Sequence, residues 1–220
     1  MATTVEAKSR PQTTVPPAGP PWYQRHQRLL LVAAIIVAGL AVIGWFIIAS
    51  GKRKEAFAAS SLNQARASAE AGNLPLASSD LQKLITTYKG TDAAREAVIT
   101  LNQVRMVNGQ SELAIVGLRE FLGTKPPAKY VTPANGLLGA ALENAKRWVE
   151  AASAYTAAAN AADVPYLTAA YLVDAARAQA EGGQTEDAVK IYRRIIEKYA
   201  DSPSFTEAQV RLAELTAGKM

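Results

Sequence analysis

The chain has no cysteine. That removes disulfides, thiolate metal sites, thiol catalysis and a lipidated cysteine, and it leaves the redox compartment open. There is one histidine, His26, beside a long apolar run. A lone residue there is an interfacial side chain, and no Cys/His metal set exists. The glycines fall in turns and form neither a GxGxxG nor a Walker loop. Acid pairs such as Glu186-Asp187 belong to a helix N-terminus, where the dipole favours them. No constellation of nucleophile, base and orienting group is present, so neither an enzyme nor a bound cofactor is expected. Aromatics are scarce, 7% against 49% apolar residues overall, and alanine is abundant. Those proportions favour closely packed helices over sheets. The formal charge is +5, with Lys8, Arg10, Arg25 and Arg28 set against Glu6 near the start and a nearly balanced remainder. No basic face is dense enough for nucleic acid.

Leu29 to Ala49 carries no charge over 21 residues. At the helical rise it spans about 31 Å, the depth of a bilayer's hydrocarbon core. Arg25 and Arg28 precede it, Lys52, Arg53 and Lys54 follow it, and Trp22, Tyr23, Trp45 and Phe46 lie near its ends, where aromatics prefer the interface. In lipid only a helix satisfies such a backbone. A cleaved signal peptide is the alternative, with Ala56-Phe57-Ala58 mimicking a cleavage site. The run is too long for a signal core, and three bases separate it from that site. Residues 1–21 hold Pro11, Pro16, Pro17, Pro20 and Pro21 among Thr, Ala and Gly, a composition expected to be a disordered tail. The expected organisation is a tail over 1–21, a transmembrane helix with its flank over 22–50, and a helical domain over 51–220. Flanking bases are near parity, so the charge rule leaves the orientation open.

Beyond the apolar run the sequence repeats. Four turns, Gly72-Asn73, Gly109-Gln110, Lys146-Arg147 and Gly183-Gln184, are followed by Ala77, Ala114, Ala151 and Ala188, 37 residues apart each time. Four residues further come Leu81, Leu118, Tyr155 and Tyr192. Alanine suits a place where two helix backbones approach closely, and a large residue one turn later fills the wider gap. Seven residues before each turn stand Ala65, Asn102, Gly139 and Ala176, of which Asn102 is the poor match. Prolines at 126, 127, 165 and 203 interrupt the helices. Ser204 with Glu207 spells a capping box for a last helix over 204–217, expected to cover the end of the array.

This pattern resembles the tetratricopeptide repeat (TPR), whose usual period is about 34 residues. It implies an all-α chain: one transmembrane helix, then a TPR-like α-solenoid of about four helix pairs with a C-terminal capping helix. The layout is also similar to that of bacterial inner-membrane proteins with a short N-terminal segment, one anchor and a periplasmic TPR domain, a group that includes the ancillary subunit of the SecY translocon. That resemblance implies a cytoplasmic N-terminus, a periplasmic array and a chaperone-like role near protein translocation or assembly. In a TPR array the first helix of each pair lines a concave groove. Carried over by register, this nominates Leu62, Arg66, Ile99, Gln103, Met106, Val173 and Arg177 as a protein- or peptide-binding groove, with the two arginines as carboxylate partners. The Lys/Asn carboxylate clamp of some TPR proteins is not reproduced. A structural subunit of a secretion, respiratory or photosynthetic complex is the alternative, with Gly39 and Gly44 offering small-residue packing surface.

The anchor carries its own test. Carbonate washing should leave the chain in the membrane fraction, and deletion of residues 29–49 should release it. A mature N-terminus near Ala59 would replace the anchor with a cleaved signal.

Overall fold

The structure is a computed structural model that describes residues 27–217. The tail expected over 1–21 lies outside the described residues. The chain divides into two units, Met1–Ser50 and Gly51–Met220. Among the described residues all regular structure is helical. In chain order the helices are α1 (Gln27–Glu70), α2 (Leu74–Thr87), α3 (Asp92–Val107), α4 (Ser111–Gly123), α5 (Ala128–Asn144), α6 (Trp148–Ala161), α7 (Pro165–Glu181), α8 (Thr185–Lys198) and α9 (Ser204–Thr216).

In the first unit, α1 carries the apolar run. Leu29, Ile35, Leu40, Ile43, Trp45 and Ile48 are all exposed. The helix is long and apolar enough to cross a membrane.

The second unit is a stack of antiparallel helix pairs joined by short turns. From α2 onward each helix packs on its chain neighbours, α3 also meets α5, and α7 also meets α9. The four expected turns have one geometry. Gly72, Gly109 and Gly183 take φ of +81°, +73° and +79°, and Lys146 occupies the equivalent place at +56°. After each, the next N–H reaches back across the turn, Asn73 to Ser68, Gln110 to Arg105, Arg147 to Leu142 and Gln184 to Gln179, at 2.8–2.9 Å. This closure satisfies carbonyls that a helix end leaves open, and its pivot must be left-handed. Glycine adopts that conformation freely, and Lys146 does so against its Cβ.

The alanines at 77, 114, 151 and 188 are each 0% exposed. Leu81, Leu118, Tyr155 and Tyr192, one turn on, are also buried. Three clusters fill the array. The first joins Ala58, Leu62 and Ala65 of α1 to Leu81 and Leu84 of α2 and Ala97 and Leu101 of α3. The middle one runs from Ala114 and Leu118 through Leu138 and Leu142 to Tyr155. The last gathers Leu172, Tyr192 and Ile195 with Ala208 of α9, and Leu212 and Leu215 pack against it.

Two expectations are revised. The Ser204–Glu207 capping box does not form: Pro203 is the N-cap, Ser204 is the first helical residue, and no side chain caps α9. Pro165 opens α7 rather than only ending α6, since the first helical position needs neither a free φ nor an N–H. Pro133 lies inside α5, in a helix that the surrounding packing holds despite the missing donor.

The buried alanines set the stability test. Ala114→Arg and Ala151→Arg should each destabilise the domain by about 3 kcal/mol or more, because a long charged side chain must enter a backbone contact. Glu120→Ala on the exposed face should cost less than about 0.5 kcal/mol. Lys146→Gly should stabilise by about 1 kcal/mol by relieving the left-handed backbone. Thermal and urea unfolding of the full chain in detergent reads all four, and Arg variants that melt like the parent would overturn the register.

Candidate groove and its ion-pair network

The first helices of the pairs, α1, α3, α5 and α7, place equivalent residues 37 apart, and the seven nominated side chains meet four different fates. Leu62 and Val173 are core residues, 3% and 5% exposed, and offer no surface to a ligand. Each stands three residues before a fully buried alanine, Ala65 or Ala176, on the same apolar stripe. Ile99 and Met106 are half-buried and pack from α3 against the middle cluster.

Arg66 and Gln103 remain accessible, and the structure brings them together. With Thr100 they border a groove of about 360 Å³ whose apolar walls include Leu74, Val104 and Val107. Val107 is 76% exposed. Arg66 Nη2 donates to Glu96 Oε1 at 2.7 Å and to Thr100 Oγ1 at 3.4 Å. Both members of the Arg66–Glu96 pair are more than a third exposed, so solvent weakens it and an incoming carboxylate competes for the guanidinium on similar terms.

Arg177 is held differently. Its Nη1 donates to Glu143 Oε1 at 2.6 Å and its Nη2 to Asp174 Oδ1 at 2.8 Å. The other Glu143 oxygen accepts from the Tyr155 hydroxyl at 2.8 Å. Burial alone would lower the Arg177 pKa, but the bonds to Asp174 and Glu143 outweigh it and raise it. Burial, then the Glu143 carboxylate, raises the Tyr155 phenol above its ordinary range. Arg177 is thus engaged on both sides, and a ligand carboxylate would have to displace an internal one. Glu143 stands one repeat beyond Met106, so the 37-residue spacing pointed to its position without revealing its chemistry.

Asn102, the poor match at the small-residue positions, is 1% exposed. Its Nδ2 donates to the Val98 carbonyl at 2.8 Å and its Oδ1 accepts from Arg105 at 3.0 Å. Room for it comes from Gly117 on α4, where an added Cβ would lie 2.7 Å from Asn102 Oδ1. Small and large have exchanged helices at this repeat. Among the described residues no group of three or more His, Cys, Asp or Glu is placed to hold a metal ion.

Known proteins share the fold. A tetratricopeptide repeat profile matches residues 170–202, which cover most of α7, its turn and α8. The crystal structure of the nearly identical TPR-like repeats of a Podosopora anserina protein, assigned as a kinesin light chain, matches with a TM-score of 0.58 and 17% identity, over 71% of this chain and 84% of that one. A glutamine-to-methionine variant of the same protein matches at 0.57 and 18%, over the same shares. At such identity the likeness establishes a TPR-like solenoid fold. No curated protein matches the sequence.

The Tyr155 phenol yields a pH test. A pKa raised by folding gives stability that is complete below the unfolded value of about 10 and is lost as pH climbs through the folded one. The melting temperature should therefore fall above about pH 10, and Tyr155→Phe should flatten that fall. Identical alkaline slopes for parent and variant would remove Tyr155 from the account.

Proposed function

We propose that the chain is a membrane-tethered protein-interaction adaptor of the bacterial cell envelope, with a chaperone-like role near protein translocation or assembly. The TPR-like fold supports an adaptor that binds proteins. The observation that carries the finer reading is the groove between α1, α2 and α3. It offers a half-exposed guanidinium, the Gln103 amide and apolar walls at Leu74, Val104 and Val107. That combination suits an extended peptide with one acidic and one aliphatic side chain. Tethering through Leu29–Ala49 supports the same reading, because confinement to a membrane turns a weak site into a useful one by raising effective concentration. In this proposal the N-terminus is cytoplasmic and the array is periplasmic. A structural accessory subunit of a large membrane complex is the second reading. It is favoured by Gly39 and Gly44, where an added Cβ meets nothing within 4 Å, leaving room for a partner helix.

A photo-crosslinking amino acid at position 103, compared with one at 120 on the outer face, tests the groove. Adducts to several partners at 103 and few at 120 are expected, and equal labelling at both would reject the site. One stoichiometric partner recovered in mild detergent would favour the subunit reading. Protease added to spheroplasts should digest the array while cytoplasmic markers survive. Protection until lysis would invert the topology and end the envelope proposal.

A further inference from the structure

The unit Gly51–Met220 has two edges of opposite charge. Short turns make successive helices antiparallel, so the starts of α3 and α5 lie at the same edge as residues 52–54 of α1. Hydrogen bonds tie that edge together. Lys54 Nζ donates to the Lys89 carbonyl at 3.0 Å. The Glu55 carboxylate accepts from the Asp92 and Ala93 N–H groups at 2.9 and 2.8 Å. Lys129 Nζ donates to Asp92 Oδ2 at 2.7 Å. Lys52, Arg53, Lys54, Lys89, Lys125 and Lys129 are all exposed. Of the acids at this edge, Glu55 is engaged by the N-terminus of α3 and Asp92 by Lys129 and Arg95, and the exposed Asp163 and Asp201 belong to the later α6–α7 and α8–α9 turns. At the opposite edge, where α1, α3, α5 and α7 end, stand the exposed Glu70, Glu112, Glu150, Glu181 and Glu186, against Lys146 and Arg147.

Helix dipoles account for part of this separation, since Glu112, Glu150 and Glu186 lie in the first turns of α4, α6 and α8. They do not account for the basic edge. Lys129 is in the first turn of α5, which holds no acid and where the dipole disfavours a cation. Lys52, Arg53 and Lys54 are consecutive like charges inside α1. Among the described residues Lys129 is paired, with Asp92, while Lys52, Arg53, Lys54, Lys89 and Lys125 make no ion pair, an excess of exposed positive charge that points to a complement outside the chain. Lys52 also follows Ala49, the last residue of the apolar run, by only three positions.

We propose that this edge is a docking surface for anionic lipid headgroups, which holds the repeat array against the bilayer. The proposal rests on the membrane-tethering reading above and deepens it. Long aliphatic stems let the lysines reach headgroup phosphates while the helices stay in water. Each base near an anionic surface contributes about a fivefold gain in partitioning, and the gain falls off within a Debye length.

The absence of cysteine makes the test direct. Ala128→Cys reports on the basic edge and Gln110→Cys on the acidic one, each with an environment-sensitive fluorophore. The full chain is reconstituted into phosphatidylcholine vesicles with or without phosphatidylserine, both carrying a nitroxide-headgroup quencher. With phosphatidylserine, quenching at 128 should be at least about twice that at 110. It should drop to the 110 level in about 1 M salt, where the Debye length is about 3 Å. The combined Lys89→Glu and Lys125→Glu variant should do the same. Neither side chain makes an internal hydrogen bond among the described residues, and the salt arm needs no variant. Carbonate washing reads the anchor separately. Release of the chain would defeat tethering, while the 128-to-110 contrast on vesicle-bound chain would still decide the edge. Equal quenching at both positions, indifference to lipid charge and salt, or no bound chain in either lipid would overturn the proposal.

Discussion

Everything in the repeat array depends on how closely two helix backbones approach beside Ala77, Ala114, Ala151 and Ala188. A residue larger than alanine there would separate the helices and open the core beside it, because protein interiors have no spare volume. Once that distance is set, the residue four further on must be large. Leu81, Leu118, Tyr155 and Tyr192 meet this need, and all are buried. The opposing helix must then yield space in proportion. Against the Tyr155 ring it does so with Gly139, where an added Cβ would come within 2.6 Å of the ring. At Asn102 the yielding residue is Gly117 on the neighbouring helix. At these two repeats a small residue offsets a large one, while the helix that carries the large one changes.

Charge works at longer range and connects repeats rather than helices within one. Arg66–Glu96, Lys129–Asp92 and Arg177–Glu143 each join a first helix to the first helix of the adjacent pair. Arg119–Glu150 and Arg147–Glu112 join second helices in the same manner. Hydrogen bonds from Arg147 and then Arg119 hold the Glu150 carboxyl down to about 2, although the residue is open to solvent. Exposed pairs of this kind add little stability. Their effect is on register, since a one-turn slip between layers would break most of these pairs.

Most of the architecture was legible because it depends on periodicity. Four alanines at one spacing, each preceded by a turn, pointed to helix pairs and buried faces and set Lys146 in a glycine's place, and the structure adds its left-handed conformation. Features that depend on side-chain chemistry across helices were not legible. Leu62 and Val173 share a register with Ile99, and only the packing of α1 and α7 separates buried from half-buried. The partners of Arg177, Glu143 and Asp174, come from α5 and α7, Tyr155 of α6 bonds the other Glu143 oxygen, and no local motif unites them. Pro133 went unread in the sequence, and in the structure it lies inside α5, whose contacts with α4 and α6 outweigh one lost hydrogen bond. Only the Lys52-Arg53-Lys54 part of the basic edge was legible, because Lys89, Lys125 and Lys129 are separated from it along the chain and join it only after folding.

The same register yields an open groove at one end of the array and a closed surface further along, and the difference comes from a few side chains. Between α1 and α3, Thr100 and Gln103 leave the space beside Arg66 unfilled. Between α5 and α7 the corresponding space is occupied. Gly136, two repeats from Leu62, lies under the Tyr171 ring, where an added Cβ would come within 2.5 Å. Arg177, three repeats from Arg66, is held by Glu143 and Asp174. A repeat protein in which every layer kept its groove would bind along its whole length and select poorly. A tyrosine and a doubly paired arginine close the later layer and leave the space beside Arg66 open. In the proposed adaptor, recognition would be localised by filling the groove elsewhere, while the backbone architecture stays the same from pair to pair.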